Sequence, residues 1–245
     1  LYLSNRNKWR AVAITVHSTC DYHTKGKYMR FLIAFLGLAL PLLASAADAP
    51  AKPKYEEGKH YTVLSGQPKP SKSGKIEVTE LFWYGCGHCY VFEPVLHEWE
   101  KTLAEDVALV RSPAMWQQRR NPTDAMWTHA RLFYTASALG QLDKLHTVFF
   151  DAMHKHNKRL VTPEEISAVV SAQGLDGAAF VKTMDSFAVN AQVTQADARQ
   201  RAYRVTGTPE IVVGGYYHIS AGNAGGQKEM LEIADYLIEK IRAER

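Results

Sequence analysis

The chain has 245 residues, 46% apolar and 22% charged, with three cysteines and a formal net charge of +4. That size is enough for one sizeable core, or a core with an inserted subdomain, and the chain shows no internal repeat and no long low-complexity segment. Residues 1–46 carry six basic residues against one acidic one (Asp21); removing them from the totals of 29 and 25 leaves 23 basic and 24 acidic, net −1, so the later residues carry no basic excess pointing to nucleic acid.

Within residues 1–46, Met29-Arg30 opens a short basic region. Phe31 to Leu43 is an apolar run interrupted by Pro41, and Ala44-Ser45-Ala46 is an A-x-A cleavage pattern. This is the layout of a secretory signal peptide, with residues 1–28 an upstream extension and a mature chain starting near Ala47. The apolar run is too short for an ordinary membrane span. Cys20 goes with the removed piece, which leaves Cys86 and Cys89. Residues 47–60, with Pro50 and Pro53 and mixed charge, are expected to be a flexible leader.

Tyr61–Leu64 predicts a short strand, Pro68–Gly74 a loop, and Lys75–Tyr84 a buried strand. A helix is expected from about Cys86 to Leu103, kinked at Pro94, then a strand over Val107–Ser112. Strand–helix–strand at that spacing implies a right-handed unit with parallel strands. From Asn121 to about Tyr203 the pattern is helical. Asn121-Pro122-Thr123-Asp124 is a start signal and Gly140 a stop. Thr162-Pro163-Glu164-Glu165 is a capping box, Asp176 caps a helix to Met184, and Val189–Tyr203 forms another. Met126, Ala130, Phe133, Tyr134 and Ser137 share one helical face. Ile211–Val213 and Tyr216–Ile219, joined by Gly214-Gly215, predict an antiparallel hairpin, and Gln227–Arg242 a final amphipathic helix.

The chemistry concentrates in Cys86-Gly87-His88-Cys89, between the buried strand and the first helix. Two sulfurs at that spacing can close a disulfide across one helical turn, and the helix start offers free N–H groups and a positive dipole end to the first. Cys86 is therefore the expected nucleophile and Cys89 the buried resolving thiol. A purely structural bridge would close too small a loop to restrict the unfolded chain much. A structural zinc site would call for a second ligand pair, and no matching spacing supplies one.

The element order and the C-x-x-C resemble the thioredoxin fold with an inserted α-helical subdomain, an α/β class, and more narrowly the DsbA family of bacterial periplasmic disulfide oxidoreductases. The resemblance rests on Cys86–Cys89, Tyr90-Val91-Phe92-Glu93-Pro94 after it, and Val205-Thr206-Gly207-Thr208-Pro209 before the hairpin. It divides the chain into a thioredoxin-like first part at 61–120, a helical insertion at 121–190 and a second part at 191–245. It implies a cis bond at Thr208–Pro209 facing the disulfide, with the Thr208 backbone pairing to substrate. It also aligns Glu80 and Glu93 with acidic positions beneath the active site, where a buried carboxylate can accept or relay the Cys89 proton. The family's usual Pro-His between the cysteines is Gly-His here, which alters stiffness but keeps His88 as the expected electrostatic tuner of Cys86.

Arg111 is a candidate counter-charge to the carboxylates, and Tyr90, Trp116 and Tyr217 candidate rims of an apolar groove. The other histidines, such as His97, His129, His154 and His156, are expected on the surface. The resemblance implies a monomeric periplasmic dithiol oxidase without metal or cofactor. It would act on reduced, unfolded exported proteins and be reoxidised by a membrane partner of the DsbB type. The alternatives are an isomerase or reductase on the same fold, or a peptide-binding chaperone without redox chemistry.

Overall fold

Alternating apolar positions 76, 78 and 82 make Ile76–Phe82 a strand with one face buried under helices. In the structure, a computed structural model describing residues 53–64, 74–116 and 124–244, this strand, β2, is near the centre of a five-stranded sheet. In chain order the elements are β1 (Thr62–Val63), β2, α1 (Gly87–Glu100), β3 (Val107–Pro113), α2 (Ala125–Ala138), α3 (Leu142–His154), α4 (Pro163–Ser171), α5 (Gly177–Met184), α6 (Phe187–Ala202), β4 (Glu210–Val213), β5 (Tyr217–Ser220), α7 (Ala221–Ala224) and α8 (Gln227–Ala243). The sheet order is β1-β5-β4-β2-β3. β2 and β3 are parallel, as the expected βαβ unit requires, and the other pairs are antiparallel. Gly214 and Gly215 both take positive φ (63° and 70°), the backbone that a tight two-residue hairpin turn demands.

Helix starts follow their caps. Asp124, Thr162, Asp176 and Ser186 each accept a backbone N–H from the first turn of α2, α4, α5 and α6. One core lies between the sheet, α1 and α8, built from residues such as Ile76, Val78, Phe92, Leu96, Ile211 and Leu237. A second joins Phe82, Tyr84 and Cys89 to Phe133, Phe149 and Phe150 of the inserted helices. The active-site helix thus contributes to both.

Two of the expected boundaries fall within structured segments. Position 190 lies inside α6, which starts at its Ser186 cap and runs to Ala202, its Val189, Val193 and Ala196 packing with Met126 and Ala130 of α2. The expected leader is described from residue 53 onward. The Tyr55 hydroxyl donates to Glu232 of α8 at 3.0 Å and its ring packs edge-on against Tyr236, because an aromatic side chain with one polar tip is best satisfied half-buried on such a helix. The expected extension and signal peptide (1–46), most of the Pro68–Gly74 loop and residues 121–123 of the helix-start signal lie outside the described residues.

Candidate active site

Cys86 is the N-cap of α1. Its backbone is extended, and its sulfur accepts the Cys89 N–H at 3.4 Å. Gly85 before it must be glycine, since a Cβ there would come within 2.4 Å of the Trp83 ring. Gly87 has open space around it. Both cysteines are free thiols in this structure, Cys86 half-buried and Cys89 fully buried. The peptide bond Thr208–Pro209 is cis, and the Thr208 carbonyl accepts from the Cys86 thiol at 3.3 Å. The loop before β4 is therefore brought against a cysteine 122 residues away in sequence.

The two sulfurs are unlike. The Cys86 thiol is lowered to about 5, chiefly because the Cys89 side chain hydrogen-bonds to its sulfur; burial opposes this, and the Thr208 side chain and the N–H groups of Cys89 and His88 add to it. Cys89 is raised by burial, then by its bond to Cys86 and by the charge of Glu80. What His88 gives Cys86 here is its backbone N–H; the residue is exposed, and its carbonyl accepts from Gln227 at the start of α8 at 2.7 Å.

Beneath the cysteines lies a polar cluster. Glu80 sits directly across from Arg111 in the β2–β3 pairing, so both point to the same face. Glu80 is fully buried, neither of its oxygens receives a hydrogen bond, and Arg111 Nε stands 3.7 Å away. Burial, reinforced by Glu93, raises its carboxyl well above the usual range in spite of Arg111. Glu93 goes the other way: burial works against its charge, but the hydrogen bond and charge of His146 and the charge of Arg111 outweigh it and lower it. Arg111 also pairs with Glu100 at 3.2 Å. Glu93, Arg111 and His146 line a cleft of about 890 Å3 between α1 and α3.

His146 was not singled out in the sequence. Its Nε2 stands 3.0 Å from Glu93 Oε1 and its Nδ1 2.8 Å from the buried Tyr84 hydroxyl, so one ring joins the carboxylate to the aromatic core. The signal was available, for His146 shares the inner face of α3 with Leu145, Phe149 and Phe150. His129 is not on the surface as expected. It is 1% exposed, accepts Trp83 Nε1–H on Nδ1 at 2.9 Å and donates from Nε2 to the Arg159 carbonyl at 2.9 Å, so the neutral ring satisfies both neighbours; burial lowers it to about 4. His154 is half-buried, bonded to the Tyr84 carbonyl and stacked on Tyr90, whereas His97 and His156 are exposed. Of the expected groove rims, Tyr217 is buried in the sheet core against Tyr61 and rims nothing. Trp116 is 37% exposed and lines a cleft of about 400 Å3 with Val205 and Thr206, beside the Thr208–Pro209 loop. Tyr90 lines the cleft above Glu93. Among the described residues no group of histidines, cysteines and carboxylates could hold a metal ion.

A sulfur that ionises easily, held one helical turn from one that does not, makes a disulfide that accepts electrons readily and can pass between two proteins. On this sheet, with an X-Pro loop touching the outer sulfur, that chemistry defines a thiol:disulfide oxidoreductase of thioredoxin type. Residues 116–237 match the family model described as a DSBA-like thioredoxin domain. The thiol:disulfide interchange protein DsbA of Pseudomonas aeruginosa is 43% identical over 217 residues, covering 88% of this chain and 98% of that protein. The one from Azotobacter vinelandii is 40% identical, covering 84% and 94%. The crystal structure of the Pseudomonas aeruginosa protein superposes with a TM-score of 0.71 over 78% of this chain and 96% of its own, and that of a DsbA from Xylella fastidiosa, 30% identical, with 0.67 over 75% and 96%. The chain belongs to the DsbA family.

Proposed function

We propose that the chain works in the periplasm as a dithiol oxidase, donating a Cys86–Cys89 disulfide to reduced, newly exported proteins. A substrate thiolate attacks Cys86 Sγ, the Cys86–Cys89 bond breaks, and Cys89 leaves with the electron pair. Glu80, raised by its burial and within electrostatic reach of Cys89, is the group placed to supply the proton that the buried Cys89 thiolate needs. A second substrate thiolate then attacks the substrate sulfur of the mixed disulfide. Cys86 leaves as a stabilised thiolate, so one disulfide has been formed and one reduced. An exposed His88, when protonated, adds to the positive field at the helix start. Glu93 holds Arg111 and His146 around Glu80. The backbone of Thr208 pairs with the extended substrate. A membrane reoxidase of the DsbB type takes the two electrons and restores the disulfide.

The observation that carries this reading is the contrast between the two sulfurs, one lowered to about 5 and the other raised. Cys86→Ser should abolish oxidation of a reduced model protein; turnover persisting in that variant would sink the reading, and a chaperone without redox chemistry would keep its holding activity. In the reduced wild type, alkylation of Cys86 should rise with pH around a midpoint near 5. A midpoint of about 7, as in thioredoxin, would favour a reductase on the same fold.

A further inference from the structure

Glu210 is the first residue of β4, immediately after the cis bond, and is 3% exposed. Both of its carboxylate oxygens are engaged. The Thr206 N–H reaches Oε1 and Oε2 at 3.3 and 3.2 Å, and the Thr206 hydroxyl reaches Oε1 at 3.1 Å. His218 Nε2 lies 2.6 Å from Oε2, and since a carboxylate only accepts, that nitrogen carries the proton. The loop folds closely around the group: a Cβ at Gly207 would stand 3.4 Å from Oε1.

His218 is itself anchored in the sheet. It faces Val212 of β4 and Thr62 of β1, which places it diagonally across from Glu210 on one face. Its Nδ1 is 3.4 Å from the Thr62 hydroxyl. A continuous polar line therefore runs from edge strand β1 through His218 and Glu210 to Thr206, two residues before the carbonyl that touches Cys86. A buried carboxylate carries a large desolvation cost that an apolar side chain of similar size would avoid. What it does that an apolar side chain cannot is accept the loop's N–H and hydroxyl.

We infer that Glu210, braced by His218, is a positioning residue for peptide substrates: it fixes the Thr206–Pro209 loop so that the Thr208 backbone stands ready beside Cys86. The inference rests on the oxidase reading above. Its effect falls on substrates that pair with the loop backbone and not on small dithiols that need only the sulfur.

The test compares an extended, reduced two-cysteine peptide with dithiothreitol. Glu210→Ala should lower the ratio of their kcat/KM values about tenfold, through the KM of the peptide, the size expected for losing one or two backbone pairings. Glu210→Gln, which keeps an acceptor for Thr206, should recover most of that ratio, and Thr206→Val should lower it about threefold. An unchanged ratio in folded Glu210→Ala overturns the proposal, as does a Glu210→Gln variant as impaired as the alanine. If the alanine variant does not fold, an unchanged ratio in Thr206→Val overturns it instead. Wild type that oxidises neither substrate removes the oxidase reading and the inference with it; wild type that oxidises both, with a ratio indifferent to these variants, removes only the brace.

Discussion

Two buried carboxylates lie on neighbouring strands of one sheet and face opposite ways. Glu80 is opposite Ile211 across the β2–β4 pairing and Glu210 opposite Leu81, so the pleat sends Glu80 toward α1 and Glu210 to the other side. Glu80 accepts no hydrogen bond, while Glu210 accepts from an N–H, a hydroxyl and an imidazole. Burial without partners leaves a carboxyl that holds its proton and can give it up nearby, whereas burial with a full set of partners makes a structural fastener. The same residue type at the same depth thus serves proton traffic on one face of the sheet and geometry on the other.

Removing each side chain should change stability in opposite directions. Glu210→Ala orphans Thr206 and His218 and should cost about 3 kcal/mol in urea unfolding. A loss under half of that would mean that water or a shifted loop replaces the carboxylate. Glu80→Gln should instead raise stability at pH 7 by about 2 kcal/mol, since burying the carboxyl obliges the chain to take up a proton on folding, and a glutamine needs none. The sign of its pH dependence is fixed by the raised carboxyl. The folded state holds its proton more tightly than the unfolded one, so wild-type stability falls as pH climbs above the usual value of 4.5, and the advantage of the variant should fade as pH is lowered toward it. A destabilised Glu80→Gln would place Glu80 with Glu210 as a fastener.

His129 sharpens the comparison with a base. It is lowered from 6.5 to about 4, so the folded state binds fewer protons than the unfolded one in that interval, and stability drops as pH falls through it. Glutamine can accept from Trp83 and donate to Arg159 without titrating. His129→Gln should therefore change little at pH 7 and flatten the acid limb between 6.5 and about 4, as read from unfolding midpoints across pH; an unaltered limb would place the titrating group elsewhere.

The strand, the C-x-x-C, the parallel βαβ unit, the capped helices and the glycine hairpin were all legible in the sequence, because each is set by residues a few positions apart. The burial of Glu80 was legible too, since it interrupts an apolar run between Val78 and Leu81. His129 was missed although it sits three residues after Met126 and one before Ala130, on the face already recognised as apolar. Histidine is polar enough to pass for surface when its partners, Trp83 and Arg159, are 46 and 30 residues distant. The Glu93–His146 pair and the Glu210–His218 brace fail the same way: a helix or strand pattern states which face is buried but not which polar group meets which. The start of α6 at Phe187 was legible only to within a few residues, because the helix is polar along much of its length and its start is marked by a Ser186 cap and not by a change in hydrophobicity.

The sheet order carries a consequence for how the chain becomes active. β1 near residue 62 pairs with β5 near 218, and β2 pairs with β4 more than a hundred residues later. Such distant pairings are the slow part of folding. A chain emerging from its N-terminus presents Cys86 and Cys89 long before Thr208 can meet them. Until the β4–β5 hairpin closes, the pair is a local C-x-x-C without its facing loop, so competence waits on residues made more than a hundred positions after the cysteines.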